Sequence, residues 1–141
     1  AHGMGYLERV HEAQLNEFLD ALQAACPDAV VLLTTPPGDF LPTRYVDYHV
    51  TARQHKRTGR VRTVLRPNPM SARCATLIEQ VGEQRGLPVW NLFEICGGAE
   101  AAQRNWEAAH YMRPDRVHFT PAGYDVQGRM LAEALLVALT D

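Results

Sequence analysis

One stretch near the C-terminus is the most informative about the fold: Arg113-Pro114-Asp115-Arg116-Val117-His118-Phe119-Thr120-Pro121-Ala122-Gly123-Tyr124. Thr120 is a favourable N-cap residue, and Pro121 suits the first helical position because its missing N–H needs no partner there. The apolar residues that follow recur at helical spacing and predict a helix that buries one face. We therefore expect Asp115 and His118 on a short loop that a packed helix holds in place.

An acid and a histidine three residues apart can cooperate in proton transfer. The carboxylate of Asp115 can orient the imidazole of His118 and stabilise its cation, while the imidazole takes and returns a proton. Two solvated loop residues would show the same spacing. The pair alone therefore does not distinguish a catalytic site from an ordinary loop.

The whole string from Asp115 to Tyr124, followed by a C-terminal helix, resembles the last conserved block of the SGNH (GDSL-type) serine esterases. Val30-Val31-Leu32-Leu33-Thr34-Thr35-Pro36-Pro37 resembles the strand and loop after the family's third block, and Pro88–Gly98 resembles its last strand and the following loop. The resemblance covers nearly the whole chain and is greatest to cell-envelope members, among them peptidoglycan O-acetylesterases. It implies that Asp115 and His118 complete a Ser-His-Asp triad. It also implies a flavodoxin-like three-layer α/β/α domain with parallel strands.

The family's nucleophile block has no counterpart in the chain. Ser71 is the one serine, and it stands at a predicted helix start; Gly38-Asp39-Phe40-Leu41 has phenylalanine where the family has serine. The family's glycine and asparagine blocks, which supply hydrogen-bond donors to the oxyanion, are also missing. Such donors usually contribute a large part of the rate enhancement. We therefore expect residues 1–141 to be the C-terminal part of a single SGNH-like domain, inactive without the part that bears the nucleophile.

The composition disfavours some classes of function but does not identify the function of the chain. The chain has 141 residues with 46% hydrophobic content and a net charge of −2, so no global charge favours nucleic acid or a membrane surface. No apolar run has the length of a transmembrane helix. Cys26, Cys74 and Cys96 lack metal-ligand spacing and do not indicate a disulfide framework. The sequence leaves open a single disulfide bond between two of the three. We expect neither a metal nor a cofactor. The composition does not identify the cellular compartment of the protein. The family resemblance favours the periplasm or the cell exterior.

Hydrophobic periodicity predicts two helix–strand pairs followed by two helices. The predicted elements are a helix from Leu7 to Ala25, a strand from Ala29 to Thr34 that is buried on both faces, a helix capped by Asn68 that runs to Arg85, a strand from Pro88 to Phe93, a short helix from Ala99 to Ala109 anchored by Trp106, and the C-terminal helix. This order indicates a parallel sheet.

Pro36–Val50 contains three prolines and is interpreted as a long loop after the first strand. Ligands bind at the carboxyl ends of strands in open α/β sheets, so side chains of this loop could line a substrate cleft. An ordered surface loop is the alternative. The substrate-binding candidates in this loop are Asp39 and Tyr45, together with Asp47, Tyr48 and His49. Tyr111 and Met112 are candidates for a pocket wall, or for core packing, because they precede the acid and the histidine.

The stretch Arg53–Arg66 holds six of the 14 basic residues, and no acid lies between Asp47 and Glu79. Thr58-Gly59 could form the turn of a small hairpin. Such a hairpin could be merely solvated, or it could attract an anionic polymer. A nucleic-acid partner is not expected because the stretch lacks interleaved aromatic residues.

These observations favour an ester hydrolase that, by resemblance, acts on O-acetyl groups of a carbohydrate or peptidoglycan. One alternative is a non-catalytic domain that binds a polyanion or glycan; another is an esterase or lipase of different specificity. The expected partners are an acylated carbohydrate or other ester substrate, and either the missing N-terminal half or a homodimer partner. A second chain segment is expected because two strands leave a sheet edge unpaired.

Overall fold

The computed structural model describes residues 6–50 and 57–140, with side chains described for 6–44, 61–102 and 104–140. The labelled elements are α1 (Glu8–Ala25), β1 (Leu33–Thr34), β2 (Phe40–Val50), β3 (Arg57–Pro67), α2 (Pro69–Arg85), β4 (Val89–Trp90), α3 (Leu92–Ile95) and α4 (Pro121–Thr140). A 3₁₀ turn (Gly98–Glu100) and a π-helical segment (Ala102–Glu107) follow α3 and lead to the loop before α4. The chain is thus a mixed α/β fold.

A short parallel sheet joins β1 and β4, with Leu33 opposite Val89 and Thr34 opposite Trp90. The predicted parallel pairing is confirmed, but both strands are shorter than predicted. The strand prediction for Ala29–Thr34 is wrong before Leu33, and Val30 is 93% exposed. The prediction for Pro88–Phe93 is wrong after Trp90, because the Asn91 side chain accepts a hydrogen bond from Glu94 N at 3.1 Å and caps α3.

The predicted loop over Pro36–Val50 is wrong from Phe40 onward, where β2 forms an antiparallel hairpin with β3, each strand having 11 residues. Its register runs from Phe40 opposite Pro67 to Val50 opposite Arg57. Thr58 and Gly59 pair with His49 and Tyr48 inside the strands, so the predicted turn at Thr58-Gly59 is wrong. Residues 51–56, which connect the strands, lie outside the described residues. The prolines misled the prediction because each strand of a two-stranded sheet has a free edge, where proline is tolerated.

One hydrophobic cluster lies between α1, α2 and the parallel sheet. Its buried members are Leu19, Leu33, Cys74, Ile78 and Val81. The helix predicted from Asn68 to Arg85 is confirmed: the Asn68 side chain accepts a hydrogen bond from Met70 N at 3.0 Å, and Gly86 ends the helix at φ 63°. Because this helix packs closely on β4, a Cβ at Gly82 would lie 2.3 Å from the Val89 side chain.

A second cluster lies beneath the loop that precedes α4. Its buried members are Phe40, Leu92, Cys96, Ala101, Ala102, Trp106, Met112 and Phe119. Trp106 is 6% exposed and its Nε1 donates to the Cys96 carbonyl at 3.2 Å, which confirms its predicted role as an anchor. The predicted helix over Ala99–Ala109 is replaced by the 3₁₀ turn and the π-helical segment. The cysteines Cys26, Cys74 and Cys96 are free thiols.

Helix α4 starts where the sequence predicts. The Thr120 hydroxyl accepts a hydrogen bond from Gly123 N at 3.2 Å, and Pro121 follows as the first helical residue. Val126 and Met130 pack against the second cluster. The predicted buried face is wrong at Tyr124, which is exposed, and in the C-terminal half of α4, where Leu135, Leu136, Val137 and Leu139 are exposed. Among the described residues, no helix combines the length and apolarity that crossing a bilayer requires.

We predict that adding a methyl group at two glycines of α4 changes the free energy of unfolding in opposite directions. At Gly123 a Cβ would lie 2.0 Å from the Tyr111 carbonyl oxygen, so Gly123→Ala should lower the free energy of unfolding by about 1–3 kcal/mol. At Gly128 nothing lies within 4 Å, so Gly128→Ala should raise it by about 0.5–1 kcal/mol through helix propensity. Urea unfolding followed by circular dichroism measures both. A Gly123→Ala variant as stable as the wild type would contradict the close contact.

Candidate active site

Backbone hydrogen bonds close the loop that carries Asp115 and His118. Met112 and Phe119 form an antiparallel bridge, and Arg113 N donates to the His118 carbonyl at 2.8 Å. Within the loop, Arg116 N donates to the Arg113 carbonyl at 2.9 Å. Both bridge residues are buried, at 4% and 6% exposure. The core therefore fixes the two ends of the loop and leaves its tip at the surface.

Arg116 joins this loop to two other parts of the fold. Its Nε lies 2.6 Å from Glu107 Oε2, and its guanidinium lies over the Phe40 ring at 5.1 Å. Its carbonyl accepts a hydrogen bond from Phe40 N at 3.1 Å. Arg116 also has a positive φ of 57°, which non-glycine residues adopt at a cost. The three contacts hold this backbone conformation, which turns the chain between Asp115 and His118.

Asp115 and His118 form a hydrogen-bonded pair. Asp115 Oδ2 lies 2.9 Å from His118 Nδ1, and Asp115 Oδ1 accepts from the backbone N–H groups of Val117 and His118, each at 3.0 Å. The backbone N–H of His118, its side chain and the N–H of Val117 together lower the pKa of Asp115 to about 2. Asp115 is therefore ionised at neutral pH.

This geometry selects the ring nitrogen of His118 that could react. An ionised Asp115 accepts a hydrogen bond, so Nδ1 of a neutral His118 carries the proton and Nε2 has the lone pair. The His118 side chain is 66% exposed and that of Asp115 is 47% exposed. The pair can therefore take a proton from, and return it to, a group placed against the surface of the loop.

The predicted pocket-wall residues Tyr111 and Met112 lie where the chain enters the Asp115–His118 loop. The Tyr111 carbonyl accepts from Thr120 N at 2.9 Å, and its half-buried ring meets Trp106 edge-on at 5.9 Å. Met112 is 4% exposed and belongs to the second hydrophobic cluster. The structure thus brings both residues to the loop, where their observed contacts are with the core.

Asp39 is buried at the start of α2, with 9% exposure. Its carboxylate accepts hydrogen bonds from the Ser71 hydroxyl and from Asn68 Nδ2, the latter at 3.4 Å. Ser71 has 0% exposure. Asp39 therefore joins the first residues of the hairpin to α2 instead of facing the Asp115–His118 loop. The side chain of Tyr45, like those of Asp47, Tyr48 and His49, lies outside the described part of the chain.

Sequence reasoning missed the residues that support the loop. Arg116 lies inside the quoted stretch, yet neither its positive φ nor its partners could be inferred from spacing. Glu107 lies nine residues before Arg116. Phe40 lies at the start of β2, a strand that was not predicted. Only the folded chain brings these three side chains together.

Comparisons with known proteins support the fold at a coarse level. No protein-family model matches the chain, and no curated protein sequence matches it. The chain is similar to a solved structure, the esterase domain of the ZfL2-1 ORF1 protein from the zebrafish ZfL2-1 retrotransposon, with a TM-score of 0.59 and 10% sequence identity. The match covers 94% of this chain and 61% of that chain. At this identity the similarity shows an esterase-like α/β fold, and the chain spans about three fifths of the neighbour.

We predict that the Asp115 carboxyl titrates with a midpoint near pH 2, below its ordinary value of 3.8. The unfolded chain binds this proton more readily than the folded chain does. The stabilisation is therefore complete above about pH 4 and is lost as the pH falls towards 2. Side-chain ¹³C NMR of the carboxyl group measures the midpoint.

A His118→Ala variant separates the two sources of this shift. It removes the imidazole bond but keeps the backbone N–H donors, so the midpoint should rise while remaining below 3.8. His110→Asn, at the exposed histidine outside the pair, is the control and should leave the midpoint unchanged, because asparagine tolerates the φ of 60° at this position. A midpoint at 3.8 in the wild type would contradict the described loop.

Proposed function

We propose that this chain contributes the Asp–His part of an SGNH-type serine esterase. The observation that carries the proposal is the 2.9 Å contact between Asp115 Oδ2 and His118 Nδ1 on an anchored, exposed loop. The similarity to an esterase domain supports a hydrolase-like fold around that pair. The resemblance of the stretch Asp115–Tyr124 to the last SGNH block supports the finer family assignment.

In the proposed reaction, His118 Nε2 takes the proton of a serine hydroxyl as the serine oxygen bonds to the ester carbonyl carbon. Asp115 stabilises the resulting imidazolium. As the tetrahedral intermediate collapses, the bond to the alcohol oxygen breaks and Nε2 returns the proton to that oxygen. Water then attacks the acyl-enzyme by the same proton transfers and releases the carboxylic acid and the serine.

The nucleophile and the oxyanion donors would come from outside these 141 residues. Ser71 is fully buried and hydrogen-bonded to Asp39, so it does not offer a reachable hydroxyl. Residues 1–141 would then be the C-terminal part of one flavodoxin-like, three-layer SGNH domain. This proposal is supported by the 61% coverage of the neighbouring esterase domain. It is also supported by the exposure of Val30 and Leu139, at 93% and 83%.

The proposed substrate is an acylated carbohydrate, such as O-acetylated peptidoglycan, met in the periplasm or outside the cell. The support for this choice is the resemblance to cell-envelope members of the family. Other esters, including those of xylan or lipids, fit the same Asp–His chemistry. A glycan-binding domain without catalysis is the alternative from another class, and the basic hairpin is the observation in its favour.

We predict that the purified 141-residue chain does not hydrolyse p-nitrophenyl acetate above a buffer blank, because two triad members cannot form an acyl-enzyme. Release of p-nitrophenolate measures the rate. Labelling by a fluorophosphonate probe, followed by intact-mass spectrometry, reports any reactive serine. Serine-dependent turnover by this chain alone would contradict the proposed origin of the nucleophile.

In a protein that joins this chain to its nucleophile-bearing part, His118→Asn should lower kcat/KM by about 10³-fold or more. Asp115→Asn should lower it strongly as well, because the ionised partner of Nδ1 is lost. His110→Asn is the matched control, since His110 is exposed, has a φ of 60° that asparagine tolerates, and lies outside the pair. Unchanged turnover in His118→Asn would refute the assignment.

A further inference from the structure

The two ends of the Asp115–His118 loop run antiparallel, and their register decides which side chains share its outer face. Met112 pairs with Phe119, and Arg113 N donates to the His118 carbonyl at 2.8 Å, so Arg113 lies directly opposite His118. Directly opposite residues of an antiparallel pair point to the same face, with Cβ atoms roughly 4.5–5.5 Å apart. Met112 and Phe119 are buried, whereas Arg113 and His118 are exposed. Arg113 is therefore the neighbour of His118 on the surface of the loop.

The backbone of Arg113 is held by local contacts. Pro114 follows it, and a residue before proline is biased towards extended conformations. The Arg113 carbonyl accepts a hydrogen bond from Arg116 N at 2.9 Å. Arg116 in turn is held by its ion pair with Glu107 at 2.6 Å. The contacts that orient the Asp115–His118 pair therefore also fix the point from which the Arg113 side chain projects.

Arg113 differs from the other arginines of residues 104–140 in its charge environment. Each of the other three forms an ion pair with a carboxylate: Arg104 with Glu100, Arg116 with Glu107, and Arg129 with Asp125. In the described part of the chain, the Arg113 guanidinium has no such pair. The acid nearest to it in sequence, Asp115, is bound by His118 and by Val117 N instead. The guanidinium of Arg113 is therefore available to a molecule placed against the loop.

A single available guanidinium favours one kind of anion. Its parallel N–H groups match a carboxylate in a bidentate arrangement, with one unit of charge on each side. Phosphate groups are instead typically recognised by clusters of arginines. The other guanidinium of this loop, that of Arg116, is already paired with Glu107. A carboxylate is therefore the group that Arg113 suits best.

We propose that Arg113 is a substrate-binding residue that holds a carboxylate of the substrate beside His118. The link to hydrolysis rests on the proposed function; binding of a carboxylate by Arg113 does not. The inference narrows the substrate class to esters of molecules that carry a carboxylate close to the ester bond. Binding of that carboxylate would hold the ester within reach of His118 Nε2, the ring nitrogen that takes the proton.

The first test is an NMR titration of the 141-residue chain with monomethyl succinate, which carries one ester and one carboxylate. The Arg113 side-chain N–H and the His118 ring signals should shift saturably. Arg113→Gln should weaken this binding at least about tenfold, because a hydrogen-bonded charge pair is lost. Arg9→Gln is the matched control, since Arg9 is an exposed arginine on α1, and it should bind within about twofold of the wild type.

The second test measures hydrolysis by a protein that joins this chain to its nucleophile-bearing part. Arg113→Gln should lower kcat/KM about tenfold for the 4-nitrophenyl monoester of succinic acid and change it less than about twofold for 4-nitrophenyl butyrate. Release of 4-nitrophenolate measures both rates. Equal loss on the two esters would mean that Arg113 is merely structural and would overturn the inference.

The two tests fail separately. If the joined protein hydrolyses neither ester, the proposed function is wrong, and the titration alone decides whether Arg113 binds a carboxylate. Equal shifts with the neutral dimethyl succinate, equal weakening in Arg9→Gln, or stronger binding of inorganic phosphate than of monomethyl succinate would each overturn the inference. Arg113→Lys should retain part of the binding, because lysine keeps the charge but lacks the planar fork.

Discussion

The candidate site depends on the contacts of one residue, Arg116. Its carbonyl receives the first N–H of β2, its guanidinium pairs with Glu107 at 2.6 Å, and its positive φ turns the chain between Asp115 and His118. The hairpin, the π-helical segment and the loop before α4 meet at this residue. Without these contacts the pair would be two residues on an unsupported surface turn, and the orientation needed for proton transfer would be one among many.

Two different environments explain why Asp115 and Asp39 behave differently. Asp115 is at the surface and holds its charge through two backbone N–H donors and an imidazole, which lower its pKa to about 2. Asp39 is buried and uses its carboxylate to tie the start of the hairpin to Ser71 and Asn68 at the start of α2. One carboxylate therefore orients the imidazole of His118, while the other stabilises the junction of two elements.

Local signals predicted α2 and the start of α4 well, because their caps are short-range, whereas the helix predicted over Ala99–Ala109 is replaced by a 3₁₀ turn and a π-helical segment. Asn68, Thr120 and Gly86 act where the sequence indicated, since a cap needs only neighbours a few residues away. The strands were predicted poorly. Pairing depends on a partner distant in sequence, so an apolar run such as Ala29–Thr34 pairs over two residues, and a proline-bearing run becomes an 11-residue strand. The exposed second half of α4 likewise shows that periodicity identifies an apolar face but not what covers it.

The sequence by itself determined the Asp115–His118 spacing, the starts of α2 and α4, the lack of a serine other than Ser71, and the concentration of basic residues before α2. These are properties of composition and of neighbouring residues. Only the tertiary structure decided that the Asp115 carboxylate contacts His118 Nδ1, that Arg116 and Glu107 anchor the loop, that Ser71 is buried beside Asp39, and that β2 and β3 form a hairpin whose first residue, Phe40, contacts Arg116. The burial of Ser71 beside Asp39 and the pairing of the hairpin depend on contacts between residues far apart in the chain. The Asp115–His118 and Arg116–Glu107 contacts depend on the backbone conformation of the loop, which spacing along the chain does not specify.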